Sequence, residues 1–188
     1  MMWRNTRTAY GLVSRLLHWT VALLFIAQIP LGFLTQATAQ NPALQFDLYQ
    51  WHKSTGFLIL ALAILRILWS LTSRKPKEPS GTKPTMQCAA HMAHAALLTM
   101  TLAIPLTGWA IASTSPLQIP SFFFDLVVIP NLPMAVSDSA EAIWSQLHAW
   151  LAYGAAALIV MHAGAAVFHA IRPEAGSLHG MLPQRSRR

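Results

Sequence analysis

Long apolar stretches separated by short polar connections dominate the pattern of the chain. Four of them have about the 20 apolar residues that a helix needs to cross a bilayer, at about 14–34, 50–71, 88–112 and 144–171. The sequence contains no internal repeat. We therefore predict an all-α membrane protein, a four-transmembrane-helix bundle that forms a single domain over residues 1–188.

Two other segments bear on this prediction. The run FFFDLVVI at 122–129 lies in the long connection 113–143. It is too short to span a bilayer, so we expect an interfacial cap over the end of the bundle. Residues 1–39 resemble a signal peptide that ends in the A-x-A site 37–39. Their apolar run of 19 residues is longer than the usual 7–15 and begins with a histidine, so we expect the first helix to be retained.

Composition and charge agree with a membrane protein. Only 10% of the residues are charged, against about 25% in soluble domains. Eleven of the 13 basic residues lie before or at the start of the first stretch, in the connection 72–87 or in the tail, whereas four of the six acids lie in the other connections. This positive-inside pattern predicts a membrane protein with both termini cytoplasmic, and it argues against nucleic acid as a partner.

Histidines at matched depths are the strongest chemical signal. His52 and His148 fall near the outer ends of two stretches, and His18 and His162 near the inner ends. His148 and His162 are 14 residues apart, which places them on one helix face about 21 Å apart. Ionisable residues inside a membrane are expensive and usually functional.

Two imidazoles from different helices at one depth match the axial ligation of a haem iron. Zinc is a weaker alternative because it needs three or four ligands, and few carboxylates or thiols lie at these depths. The other alternative is that the histidines form hydrogen bonds between helices. Cys88 lies outside a C-x-x-C-H motif, so a haem would be bound non-covalently.

Motifs along nearly the whole chain resemble the bacterial cytochrome b561 family, which includes the membrane superoxide oxidases. They are SRLLHW at 14–19, WHKSTGFLILALAILRILW at 51–69, HMAH at 91–94, IPLTGWA at 104–110, LHAWLAYGAAALIVMHAGAAVFHA at 147–170 and MLP at 181–183. The resemblance implies a four-helix bundle in the bacterial inner membrane with two haem b groups in its core. His18 and His162 would bind the inner haem iron, and His52 and His148 the outer one. The chain differs from close relatives at Ala170, where they carry a second histidine, and in the segment 173–180.

Three basic side chains are candidates to bind haem propionates. Arg66 follows His52 by 14 residues and lies near the depth of the inner haem, and Arg15 precedes His18 by about one turn. A buried arginine requires an anionic partner, although Arg66 is near enough to the interface to snorkel instead. Lys53, next to His52, is expected either to bind an outer propionate or to reach water.

His91 and His94 form an i, i+3 pair near the inner end of the third stretch, and His169 lies further along the fourth. His91 and His94 are alternative haem ligands, proton-transfer groups at a quinone site, or packing residues. We predict the quinone and proton role, because His18 and His162 already suffice for ligation and imidazole exchanges protons near neutral pH.

The resemblance implies that superoxide gives an electron at the periplasmic face and that ubiquinone is reduced near the cytoplasmic-side haem. A non-enzymatic b-type subunit relaying electrons between the quinone pool and a periplasmic redox partner is the alternative. A haem-free membrane protein such as a small transporter is a third possibility, if the histidine pairs are structural. The outer connections carry four acids, which argues against electrostatic steering of an anionic donor.

Overall fold

Four long helices account for most of residues 2–74, 76 and 84–171, which the computed structural model describes. They are α1 (Leu12–Ala37), α2 (Pro42–Thr72), α3 (Pro84–Thr114) and α4 (Asp138–Ile171). Each contains a segment long and apolar enough to cross a membrane. The four predicted stretches are therefore confirmed as apolar helices, and each helix extends beyond its predicted stretch at one or both ends.

Capping residues explain where two of the helices begin. The Asn41 side chain accepts a hydrogen bond from a backbone N–H in the first turn of α2, and Pro42 occupies the first helical position. Ser137 caps α4 in the same way. Asp138 and Glu141 place negative charge in the first turn of α4, where it interacts favourably with the positive end of the helix dipole.

The bundle consists of two helix pairs joined along one side. α1 packs on α2, α3 packs on α4, and α2 packs on α3, whereas α1 and α4 touch at few points. One residue from each helix contributes to the apolar core, namely Phe25, Ile59, Ile104 and Ala155. Large apolar side chains cover the outside, as expected for helices that face lipid.

A β-hairpin is the main feature that the all-α prediction missed. Strands β1 (Ser121–Phe123) and β2 (Val127–Ile129) pair antiparallel in the run expected to form an interfacial cap. The hairpin docks on α2 through the buried side chains of Gln50 and Ser54. Gln50 Nε2 donates to the Pro120 carbonyl at 3.1 Å, and Ser54 Oγ donates to the Phe122 carbonyl at 2.8 Å. We call this end of the bundle the hairpin end.

The opposite end, here the basic end, is closed by the segment before α1. Asn5 Nδ2 donates to the Arg74 carbonyl at 2.9 Å, and Asn5 Oδ1 accepts from the Ser14 hydroxyl and the Gly11 N–H. At Gly11 a Cβ atom would lie 2.5 Å from the backbone of Arg4, so only glycine allows this segment to fold so closely over the bundle.

Candidate haem-binding sites

At the hairpin end, the structure brings the rings of His52 of α2 and His148 of α4 close together across the bundle. Their ring centres are 6.2 Å apart, with an angle of 68° between the ring planes. Two imidazoles that bind one metal ion from opposite sides, each through a nitrogen at about 2 Å, have ring centres roughly 6 Å apart. The spacing of this pair therefore fits one metal ion between the rings.

Hydrogen bonds from α3 hold the His148 ring. Its Nδ1 lies 3.1 Å from the Ile104 carbonyl oxygen and 3.0 Å from the Thr107 hydroxyl. A carbonyl oxygen can only accept, so Nδ1 carries the hydrogen and Nε2 keeps its lone pair. This is the tautomer that an Nε2 metal ligand requires, and hydrogen bonds of this kind orient histidine ligands in metalloproteins.

The His52 ring has bonding capacity left. Its Nδ1 is buried and has no hydrogen-bond partner among the described residues. Its backbone carbonyl accepts from Gln28 Nε2 at 2.8 Å, which ties α2 to α1 at the level of the ring. A buried polar nitrogen without a partner is costly, so the ring is expected to bind a group in addition to its protein contacts.

Two glycines make room for these rings. A Cβ atom on Gly32 of α1 would lie 3.2 Å from Cε1 of His52, and one on Gly108 of α3 would lie 3.3 Å from Cε1 of His148. Both distances are shorter than ordinary contacts with a Cβ atom. Each imidazole therefore lies directly against the backbone of a neighbouring helix.

At the basic end, three histidines and one arginine form a cluster in which His18, His162 and Arg66 are half-buried and His94 is exposed. The ring centres of His94 and His162 are 5.1 Å apart, with an angle of 72° between the ring planes. His18 lies within electrostatic range of both rings and of Arg66, and Arg66 is also close to Tyr10. The Nδ1 atom of His18 is buried without a hydrogen-bond partner in the described part of the chain.

The distance between the ring centres tests whether His94 and His162 could bind one iron from opposite sides. The 5.1 Å between His94 and His162 is shorter than the roughly 6 Å that two imidazoles on opposite sides of a metal need. In this arrangement His94 packs beside His162 and does not face it across a metal-sized gap. The sequence had left His94 open as an alternative ligand.

An apolar layer separates the two histidine levels. Phe25 follows His18 by seven residues, and Ile59 follows His52 by seven. Ala155 lies midway between His148 and His162. Seven residues are about two helical turns, so the core cluster lies halfway between the two ends. The sites are thus about 21 Å apart along α4.

The remaining predicted site residues lie outside these two clusters. Lys53 Nζ donates to the Ile119 carbonyl at 3.4 Å, on the side of α2 where the hairpin docks. Arg15 is half-buried near the basic end, and His91 is exposed. His169 is half-buried, and its ring contacts that of the adjacent Phe168. The tail from residue 172, with His179, lies outside the described residues.

Metal sites of the zinc type are not found in the part of the chain that the structure describes. No group of three or more His, Cys, Asp or Glu side chains is arranged there to hold an ion. The paired imidazoles instead fit a cofactor that supplies its own equatorial ligands, as haem does.

Comparison with known proteins agrees with this donor set. Residues 9–184 match the family of prokaryotic cytochrome b561 proteins. The chain belongs to this family. It is also 29% identical, over 187 residues, to "Cytochrome b561 homolog 2" of Escherichia coli strain K12, covering 99% of this chain and 97% of that protein. The family is one of membrane cytochromes that transfer electrons with b-type haem.

Several residues that shape the sites of this b561-family protein were missed by sequence reasoning. They are Gly32, Gly108, Thr107 and Gln28, which touch the rings or the backbone of the paired histidines. Glycine and threonine are common in membrane helices for packing reasons alone, so their spacing carried no signal. Gly32 and Gly108 do lie at the depth of His52 and His148, and that match is the clue the sequence offered.

Proposed function

We propose that this protein is a di-haem transmembrane electron carrier. His52 and His148 would hold one haem b at the hairpin end, and His18 and His162 a second at the basic end. The observation that carries the proposal is the facing pair of imidazoles 6.2 Å apart, one of which is held in the tautomer that ligation needs. When bound, the haems supply one-electron transfer between the two ends of the bundle.

The protein's own residues would position the cofactors and control their surroundings. Arg66 lies inside the histidine cluster at the basic end and supplies the positive charge that a haem carboxylate needs there. Arg15 is a second candidate from α1. The apolar layer around Phe25 and Ile59 would exclude water between the two sites, which protects electron transfer between them from side reactions with solvent.

The specific reaction that we propose is oxidation of superoxide coupled to reduction of ubiquinone. Two superoxide ions each lose one electron at the hairpin end and leave as dioxygen. The two electrons, together with two protons, convert one ubiquinone to ubiquinol at the basic end. By the positive-inside rule the basic end faces the cytoplasm, which then supplies the protons.

Proton transfer to the quinone would fall to the histidines at the basic end. His94 contacts His162 and is exposed on its other side. It can therefore bridge the cofactor site and the surface. His91 lies one turn nearer the start of α3 and is exposed. An imidazole at either position can take a proton from water and give it to a quinone oxygen.

A second candidate function is supported by the charge at the hairpin end. Asp125 is exposed at the tip of the hairpin, and three further acids, Asp47 of α2 and Asp138 and Glu141 of α4, lie near the starts of their helices at the same end. Negative charge repels superoxide but attracts a basic protein surface. This favours a non-enzymatic subunit that relays electrons between the quinone pool and a periplasmic redox partner.

Rapid mixing of the purified holoprotein with superoxide separates the two functions. We expect haem reduction within milliseconds, no requirement for another protein, and reoxidation by a soluble ubiquinone. If superoxide does not reduce the haem but a quinol does, the protein has the relay function instead.

A further inference from the structure

An apolar groove runs down the outside of the bundle from beneath the hairpin. It has a volume of about 320 Å³ and is open on its outer side. Its walls come from three elements, and their main residues are Phe57, Leu60 and Ile64 of α2, Trp109 of α3, and Phe123 and Ile129 of the hairpin. Almost no polar surface lines it.

The walls of the groove are held in place by specific contacts. The Trp109 indole N–H donates to the Pro130 carbonyl at 3.0 Å, which fixes the hairpin to α3. The Trp109 ring meets the Phe57 ring edge to face at 5.5 Å. These contacts make the groove a defined feature of the fold.

Lys53 lies one helical turn before the first groove residue of α2. It precedes Phe57, Leu60 and Ile64 by four, seven and eleven residues. These spacings place all four residues on one face of α2, with Phe57, Leu60 and Ile64 about 6 to 16 Å along the helix axis from Lys53. No other Lys or Arg occurs in residues 16–65, and residues 84–171 contain none.

The ammonium group has donors to spare. A lysine has three N–H donors, and Lys53 uses one, in a long hydrogen bond of 3.4 Å to the Ile119 carbonyl. Its other two donors have no partner among the described residues. A positive charge above an apolar groove that opens into the bilayer complements a molecule with an anionic head and an apolar tail.

We propose that this groove binds an anionic phospholipid from the leaflet at the hairpin end. The lipid phosphate accepts hydrogen bonds from Lys53, and one acyl chain lies along Phe57, Leu60 and Ile64 under the hairpin. A quinone tail would suit the same walls, but a neutral quinone head gives no role to the single cation placed above them. The proposal does not depend on which donor or acceptor exchanges electrons with the haems.

Native mass spectrometry of the holoprotein released from nanodiscs tests this assignment. The nanodiscs contain phosphatidylglycerol and phosphatidylcholine in equal amounts. We expect one phosphatidylglycerol to stay bound to the wild-type protein. Lys53→Ala should weaken its retention about fivefold, the contribution of one lysine near an anionic membrane surface, and Lys53→Arg should preserve it.

The acyl-chain position is tested with a matched pair of variants. Ala61 lies in the groove wall, and Ala157 is exposed on α4, away from the groove. Ala61→Trp should expel the lipid by filling the groove, whereas Ala157→Trp should retain it. Equal loss in both variants, or equal retention, would overturn the proposal.

Three further outcomes would also overturn it. They are retention of phosphatidylcholine as strong as that of phosphatidylglycerol, recovery of a quinone from the groove, and unchanged lipid retention in Lys53→Ala. The haem spectrum of Lys53→Ala is recorded alongside. Loss of the hairpin-end haem with the lipid still bound would assign the ammonium group to a haem propionate.

Discussion

Thr107 offers a sharp test of how the hairpin-end site is built. Its hydroxyl is 3.0 Å from His148 Nδ1 and also donates to the Ile104 carbonyl at 2.8 Å. Thr107→Val removes the hydroxyl and nearly preserves the shape of this buried side chain. The Ile104 carbonyl remains 3.1 Å from Nδ1, so the ring keeps one of its two anchors.

Loss of a hydrogen bond to a ligating histidine typically costs 10- to 100-fold in metal affinity. Because one anchor survives in Thr107→Val, we expect the lower end of that range. The affinity for the hairpin-end haem should fall about tenfold, which corresponds to about 1.4 kcal/mol. The assay is the rate at which the holoprotein loses haem to an excess of a haem-scavenging apoprotein, followed by visible absorption.

Thr101→Val is the matched control for this prediction. Thr101 is equally buried on α3, and its hydroxyl donates to the Leu98 carbonyl at 2.8 Å without touching a histidine. Both variants lose a neutral hydrogen bond worth about 1 kcal/mol of stability. Equal haem loss from the two variants, or haem retention in Thr107→Val at the wild-type rate, would refute the role assigned to Thr107.

The other predictions concern the two cofactor sites and the quinone. His52→Ala should lower the haem content from two to one per chain in a pyridine haemochrome assay; two low-spin haems in this variant would mean that His52 is not a ligand. His94→Ala should keep both haems but slow reoxidation by a soluble ubiquinone at least tenfold, about 1.4 kcal/mol in barrier, and loss of a haem would make His94 a ligand instead. Gly32→Val should displace the His52 ring and deplete the hairpin-end haem, whereas Gly154→Ala should leave both haems bound because a Cβ atom there meets nothing within 4 Å. Equal haem content in these two glycine variants would contradict the packing argument.

Hydropathy and depth predicted much of this architecture. The four helices follow from apolar length alone, because a bilayer imposes a minimum span. The juxtaposition of His52 and His148 follows from their depth, since α2 and α4 run in the same direction and each histidine lies ten residues after the start of its helix. Depth says nothing about rotation around the bundle axis, however. The contact of His94 with His162 therefore had to come from the structure.

The hairpin was not predictable because its turn lacks the usual signal. The strand register leaves a three-residue loop, residues 124–126, and turns with two residues of positive φ favour glycine or asparagine at those positions. Here Phe124 and Asp125 occupy those positions, with φ of 49° and 58°. The Phe124 N–H donates to Ser54 Oγ, and its ring lies against Trp51, so contacts with α2 stabilise a turn that the local sequence disfavours.

The sparse contact between α1 and α4 has a consequence for assembly in the membrane. Helix hairpins can insert separately and associate afterwards, and this chain is organised as α1–α2 and α3–α4. In the proposed scheme each haem takes one ligand from each half, so cofactor binding fastens together two halves that otherwise meet mainly along α2 and α3. A chain divided between Arg74 and Pro84 should then yield two fragments whose association is strengthened by haem, because a ligand that binds only the assembled state stabilises it by mass action.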